Sequence, residues 1–322
     1  MPATNLLVVG HPTAPYLKML AELPNDVNIA VGNRPEAFVN LGAEADAVLY
    51  CMMAGISLKE IWPVTKKVKW VHSMSAGLDT LLFPALVEGP AVLTNARGVY
   101  KESLGEFGML GIMYFAKDIP RMRRNQMARK WEQFDVDMVD RQTLGIIGYG
   151  EIGRSVARRA HAMGMRVIAT RRRPELNDGD PYVTKSFHID DRKQLMAESD
   201  FVLVCSALTP ETLHLVGEAE FRSMKPSGII MNLGRGPIID EVAMAKALEQ
   251  KWIRGAVLDV FDQEPLPESS PLWDMDNVLV SPHCADHTST WMDDSMRFFV
   301  ENFHRYIKGE PLQNVVDKKS GY

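Results

Sequence analysis

The sequence predicts an α/β fold of two doubly wound, parallel-sheet domains, and three observations carry that expectation. Short apolar runs rich in Val, Ile and Leu alternate with helical patterns, as parallel strands joined by crossover helices do. Residues 144–174 condense the pattern into one strand–glycine turn–helix–strand unit. The 322 residues, 46% hydrophobic and 24% charged, are enough for two substantial cores.

Along the chain, residues 5–9 and 46–50 are β-rich, with a helix expected over 15–23 and a strand around 27–31. Strands at 69–73 and 91–94 complete this first set. A helical stretch follows over 98–131. Its first half is apolar on most faces, which predicts burial between domains or subunits, and Pro120 kinks or divides it. After the glycine unit, strands are expected at 188–189, 200–206, 229–233, 255–260 and 278–281. Helices at 191–198, 210–216 and 241–250 separate them. The tail, 290–307, carries Trp291, Met296, Phe299, Phe303 and Tyr306 on an amphipathic helix expected to return to the first domain.

The glycine unit has the spacing of a dinucleotide-binding fingerprint. A buried strand (144–147) leads into Gly148, Gly150 and Gly153, then a helix over 152–163 and a second strand over 166–170. Gly148 permits the tight turn and Gly150 the approach of a pyrophosphate. Gly153 lets the helix lie close on the strand, and Glu151 and Ile152 open that helix, whose amides face the phosphates. Where an NAD-binding unit usually carries an acid for the ribose 2′-hydroxyl, this chain has Thr170 followed by Arg171, Arg172 and Arg173. That cluster suits a 2′-phosphate, so NADP is expected over NAD; a solvated basic loop is the plain alternative.

A net charge of −5 argues against nucleic acid or an acidic membrane surface as partner. Cys51, Cys205 and Cys284 are scattered and odd in number, without metal-ligand spacing, which predicts a reducing, cytoplasmic setting and no metal. Cys51 and Cys205 lie in apolar strands and read as core. Neither a secretory signal nor a membrane span is visible.

In open α/β sheets, ligands gather at the carboxyl ends of strands. Three such ends deliver Arg235 between Gly234 and Gly236, Asp259 followed by Glu264, and His283. Hydride transfer to a carbonyl leaves an alkoxide that needs a proton, which a histidine supplies near neutral pH. A carboxylate on its other nitrogen sets the tautomer, and a guanidinium polarises the carbonyl and holds a neighbouring carboxylate.

These residues lie in motifs that resemble the D-2-hydroxyacid dehydrogenase family. The match runs in order through SMSAGLD (73–79), TNARGVY (94–100), LGIIGYGEIG (144–153), ALTPET (207–212), MNLGRGPIIDE (231–241), GAVLDVFDQEPLP (255–267) and SPHCADHT (281–288). The resemblance is nearest to the glyoxylate/hydroxypyruvate reductase branch. It implies a Rossmann cofactor domain (99–287) and a discontinuous, flavodoxin-like substrate domain (1–98 and 288–322). It also implies Arg235 as the substrate-orienting arginine, His283 as acid/base and Glu264 as its partner. The amides of Ser75, Ala76 and Gly77 would hold the substrate carboxylate. Asp259 would anchor the nicotinamide carboxamide, and Ala207, Leu208, Leu233 and Gly234 would line the cofactor. A homodimer through the cofactor domain is implied as well.

Departures from the family pattern are few. Arg171 stands in the place of an acid, and Ala207 in the place of a common proline. Asp286 and His287 make the segment after His283 more polar; they touch substrate or, on the plainer reading, Asp286 caps the next helix. Met52 and Met53 shape the substrate pocket or fill the core. The expected activity is NADPH-dependent reduction of a small 2-oxo acid to the D-2-hydroxy acid. The alternatives are another dehydrogenase of the family, such as one acting on phosphoglycerate, or a nucleotide-gated, corepressor-like interaction module.

Overall fold

The first apolar run forms strand β1 (Thr4–Val9), which pairs in parallel with β2 (Val27–Gly32) and β3 (Ala47–Tyr50). Next come β4 (Trp70–Ser73) and β5 (Val92–Asn95), giving a five-stranded parallel sheet in the order β2-β1-β3-β4-β5. This is the flavodoxin-like strand order. The second sheet holds β6 (Thr143–Ile147), β7 (Arg166–Arg171), β8 (Lys185–His188), β9 (Phe201–Val204), β10 (Ile229–Asn232), β11 (Gly255–Leu258) and β12 (Val278–Val280). Its seven strands run parallel in the order β12-β11-β10-β9-β6-β7-β8. Strands β6, β9, β10 and β11 are buried at every position, which is why they read as continuous apolar runs.

This computed structural model describes residues 4–321, and the chain divides into Met1–Tyr100 with Thr288–Tyr322, and Lys101–His287. The C-terminal helix, Trp291–Lys308, belongs to the first unit. Its buried stripe includes Met296, Phe299 and Phe303, and Phe299 stacks on Trp70 of β4 with ring centroids 5.6 Å apart. Among the described residues, no helix is long and apolar enough to cross a membrane.

Several element expectations need correction. The stretch 15–23 is a 3-10 helix (Pro15–Glu22), and 188–189 is the end of β8 and the start of a 3-10 turn. No helix forms over 210–216. There the Thr212 hydroxyl accepts from Thr209 N at 2.7 Å and donates to Ala207 O at 2.7 Å, competing with helical bonds. The helical stretch divides into Lys101–Ala116 and Ile119–Met127. The break is at Asp118, which has φ 47° and caps Arg121 N; Pro120 lies in the first turn of the second helix, where its missing N–H costs nothing. One face of Lys101–Ala116 packs within its own unit, while Leu110 stays exposed. A Cβ on Gly108 would lie 2.8 Å from Val156 of helix Glu151–Ala162, so the two helices meet almost backbone to side chain.

One buried titratable group makes the first unit acid-sensitive. His72 of β4 is fully buried beside Phe298 and Phe299, and its Nδ1 lies 2.7 Å from Thr94 Oγ1. Burial pulls its pKa from the ordinary 6.5 down to about 3. Protons therefore bind the unfolded chain first as pH falls through 6.5, and stability drops until the folded pKa is reached. At pH 4.5 this amounts to about 2–3 kcal/mol. Urea unfolding at pH 7.5 and 4.5 should show His72→Phe losing less stability than wild type by about that amount. Equal losses in the two proteins would mean that His72 is charged when folded.

Candidate active site

The glycine turn sits at the carboxyl end of β6, the strand from which the chain leaves in both directions to β7 and β9. Such a switch point is where open α/β sheets bind ligands. Gly148 has φ 92°, and a Cβ there would lie 2.6 Å from the Ser206 backbone. Gly150 faces open space, with no atom within 4 Å of an added Cβ. At Gly153 the Cβ would lie 3.0 Å from Ile146 and 3.1 Å from Gly148 O, so the helix packs onto the strand only as glycine permits. A side chain would crowd its neighbours at Gly148 and Gly153, whereas Gly150 is open.

The turn is braced from β9. Cys205 donates its thiol hydrogen to Gly148 O at 3.0 Å, and burial pushes that thiol up to about 12. It is a structural thiol, not a nucleophile. Glu151, at the helix start, pairs with Lys101 at 3.1 Å, leaving the helix amides as the groups facing the turn; Ile152 is half-buried behind it. Two buried hydroxyls, Thr170 Oγ1 on β7 and Ser206 Oγ just after β9, have no hydrogen-bond partner among the described residues. Burial, with Asp180 close by, raises the Tyr149 phenol further. An open cradle at Gly150, with unsatisfied hydroxyls at Thr170 and Ser206 on the neighbouring strands, fits a dinucleotide.

The arginines after β7 are partly engaged. Arg171 donates from Nη1 to Asn177 Oδ1 at 3.0 Å, and Arg172 lies 3.9 Å from Glu211. Arg173 is exposed at the head of the 3-10 turn Pro174–Asn177. Leu208 packs against the unit's core and Leu233 is buried, while Ala207 O and Gly234 N are held by the Thr212 hydroxyl and Asn232 Oδ1.

The chemistry-bearing side chains gather on β10, β11 and β12, which are adjacent strands. Glu264 accepts from Phe261 N through Oε1 at 3.0 Å, and its Oε2 lies 2.7 Å from His283 Nδ1. His283 has φ 51°, a left-handed backbone that a non-glycine residue keeps only when its surroundings hold it. Asp259 does the holding. Its Oδ1 accepts from Ser281 Oγ at 2.5 Å, Cys284 N at 2.9 Å and Ala285 N at 3.1 Å, flanking His283 on both sides. Burial raises the Asp259 carboxyl, opposed by those three donors. The sequence points to Asp259 only as a cofactor contact; its turn-holding role, and that of Ser281, is legible only in three dimensions.

Asn232 organises the Arg235 loop, accepting from Gly234 N at 3.1 Å and donating to Arg235 O at 3.0 Å. Gly236 serves packing: a Cβ there would collide with the Phe261 backbone at 1.9 Å. This contact locks the Arg235 loop onto the Glu264 loop.

In the first unit, Asn95 Nδ2 donates to Ala76 O at 2.7 Å and Ala96 N to Ser75 O at 3.2 Å. The Ser75 amide already donates to Ser73 Oγ at 3.2 Å, so Ala76 and Gly77 carry the amides with no partner among the described residues. Met52 packs against the core and Met53 is exposed. Asp286 does not cap the C-terminal helix, which begins at Trp291 after Thr290; it lies 3.7 Å from His287 Nε2 instead. Among the described residues, no group of three or more His, Cys, Asp or Glu could hold a metal ion.

A family model described as D-isomer specific 2-hydroxyacid dehydrogenase, NAD binding domain, matches residues 109–285. A glyoxylate reductase from Korarchaeum cryptofilum is 33% identical over 271 residues, 81% of this chain and 79% of that protein. Glyoxylate/hydroxypyruvate reductase B from Pectobacterium carotovorum is 34% identical over 258 residues, 78% of this chain and 79% of that protein. Among solved structures, a D-isomer specific 2-hydroxyacid dehydrogenase from Xanthobacter autotrophicus, in complex with NADPH and MES, superposes with a TM-score of 0.82. It is 26% identical, and the match covers 99% of this chain and 100% of that one.

Proposed function

The chain belongs to the D-isomer specific 2-hydroxyacid dehydrogenase family and is an NAD(P)-dependent oxidoreductase; from that premise we propose that it uses NADPH to reduce a small 2-oxo acid to the D-2-hydroxy acid. Glyoxylate and hydroxypyruvate are the leading substrates, since relatives over 30% identical carry those names. The observation that carries the reading is the 2.7 Å contact of His283 Nδ1 with Glu264, one strand from the Arg235 loop.

When bound, the reduced nicotinamide supplies a hydride to the carbonyl carbon. Glu264 accepts the Nδ1 hydrogen of His283, which leaves Nε2 to carry the transferable proton. Nε2 protonates the oxygen of the former carbonyl as negative charge develops there. Arg235 polarises that carbonyl and pairs with the carboxylate of the substrate. In the first unit, the amides of Ala76 and Gly77, beside Ser75, offer donors suited to a carboxylate. Gly148, Gly150, Glu151, Ile152 and Gly153 hold the pyrophosphate through their backbone, and Ala207, Leu208, Leu233 and Gly234 line the cofactor. Thr170 and the three arginines receive the 2′-phosphate, and the NADPH-bound relative supports that choice. Asp259 combines its hold on the turn with an approach to the carboxamide. The experiment is a panel of 2-oxo acids assayed with NADPH and NADH. Faster oxidation of NADH at equal low concentration would overturn the cofactor assignment.

We further propose a homodimer through the cofactor-binding unit. Met122, Met127, Trp131, Val136 and Met138 are all exposed along one segment, with Trp131 95% exposed, and Leu110 is exposed on the preceding helix. So much apolar surface on a single arm suits a subunit contact. Sedimentation equilibrium should return twice the chain mass of 36.1 kDa; a monomer at assay concentration would contradict the assignment.

A further inference from the structure

The NADPH reading turns on arginines standing where an acid would otherwise meet the ribose, and the role given below to Glu211 rests on that reading. The structure brings an acid to those arginines from another strand. Glu211 lies in the turn after β9, with Oε2 3.9 Å from Arg172 Nη2. Its carboxylate is set in place: Thr209 Oγ1 donates to the same oxygen at 2.7 Å, and Thr209 N donates to the Thr212 hydroxyl at 2.7 Å. The Thr209 hydroxyl, with the Arg172 charge as a lesser contributor, holds the Glu211 carboxyl below its usual range, so it is ionised at neutral pH.

The two arginines differ in what they meet. Arg171 donates to the Asn177 amide oxygen at 3.0 Å, and Asn177 is buried and anchored through Nδ2 to Ser186 Oγ at 3.1 Å. A neutral acceptor orients that guanidinium without cancelling its charge. Arg172 instead shares its charge with a carboxylate.

We propose that Glu211 is a specificity-determining residue for the cofactor ribose, tempering the preference of the arginines for a 2′-phosphate. With a 2′-hydroxyl, Glu211 neutralises Arg172 and can accept from the ribose. A 2′-phosphate seated on Arg172 at a charge-assisted hydrogen-bond distance lies within about 7 Å of the Glu211 carboxylate, and the two repel. Because both side chains are more than half exposed, solvent and salt weaken this repulsion without abolishing it.

The test is calorimetric titration of the full chain with NADP+, NAD+, 2′,5′-ADP and 5′-ADP, independent of turnover. Glu211→Gln keeps an acceptor for Thr209 and removes the charge. It should lower the Kd of NADP+ and 2′,5′-ADP about 3- to 10-fold, leave NAD+ and 5′-ADP no tighter, and lose much of the gain in about 0.5 M salt. An unchanged or raised Kd for NADP+ overturns the proposal, and so does an equal change for all four ligands, which would mark a purely structural turn. The double variant Arg171→Ala, Arg172→Ala separates this from the underlying reading. If it weakens NADP+ while Glu211→Gln has no effect, only the role of Glu211 fails. If it leaves NADP+ binding unchanged, the arginine reading itself fails.

Discussion

Replacing His283 with Asn should lower kcat for 2-oxo acid reduction about 10²- to 10⁴-fold while leaving the Kd of NADPH within about twofold. Asn is the informative choice because position 283 has φ 51°, a left-handed conformation that Asn tolerates better than most residues. The turn held by Asp259, Ser281 and the amides of residues 284 and 285 should therefore survive. What is lost is the ring whose Nδ1 meets Glu264 at 2.7 Å and whose Nε2 faces away from that carboxylate. Steady-state kinetics and fluorescence titration with NADPH read the two effects separately. Undiminished kcat would remove His283 from proton transfer.

Arg235→Lys should lower kcat/KM about 10²- to 10³-fold, again with cofactor affinity retained. Lysine keeps the positive charge but cannot grip a carboxylate and polarise a carbonyl with one planar fork. Arg235 Nη1 donates to Gly234 O at 2.9 Å, but Asn232 and the close packing of Gly236 on Phe261 also hold the loop, so the variant should fold as wild type does. A loss confined to KM would mean that Arg235 binds substrate without acting in the transition state. No loss at all would place the substrate elsewhere.

Much of this architecture is legible in the sequence because parallel strands buried on both faces leave a plain trace. The runs LGII and FVLV stand out without any partner strand, and a glycine turn directly after such a run marks the start of a nucleotide-binding unit. Strand ends then locate Arg235, Glu264 and His283, since the topology obliges them to share one edge. Segment 210–216 has a helical pattern yet forms no helix, because the Thr212 side chain makes two bonds to the backbone in its place. Asp259 reads as a ligand contact alone because nothing in its spacing announces three donors arriving from residues 281, 284 and 285. Glu211 is invisible for the same reason, meeting in space an arginine far from it along the chain. Local sequence reports what the backbone does over a few residues. It is silent on which distant side chains converge.

Hydride transfer from NADPH to the carbonyl carbon of a small 2-oxo acid is the central claim. It is tested most directly by supplying NADPH deuterated at the transferable C4 position together with glyoxylate or hydroxypyruvate, in a panel that also includes NADH. Mass spectrometry should find one deuterium at C2 of the hydroxy acid, the D-isomer of glycerate from hydroxypyruvate, and faster turnover with NADPH than with NADH. Tight NADPH binding with no reduction of any 2-oxo acid would contradict that claim and favour a nucleotide-gated interaction module.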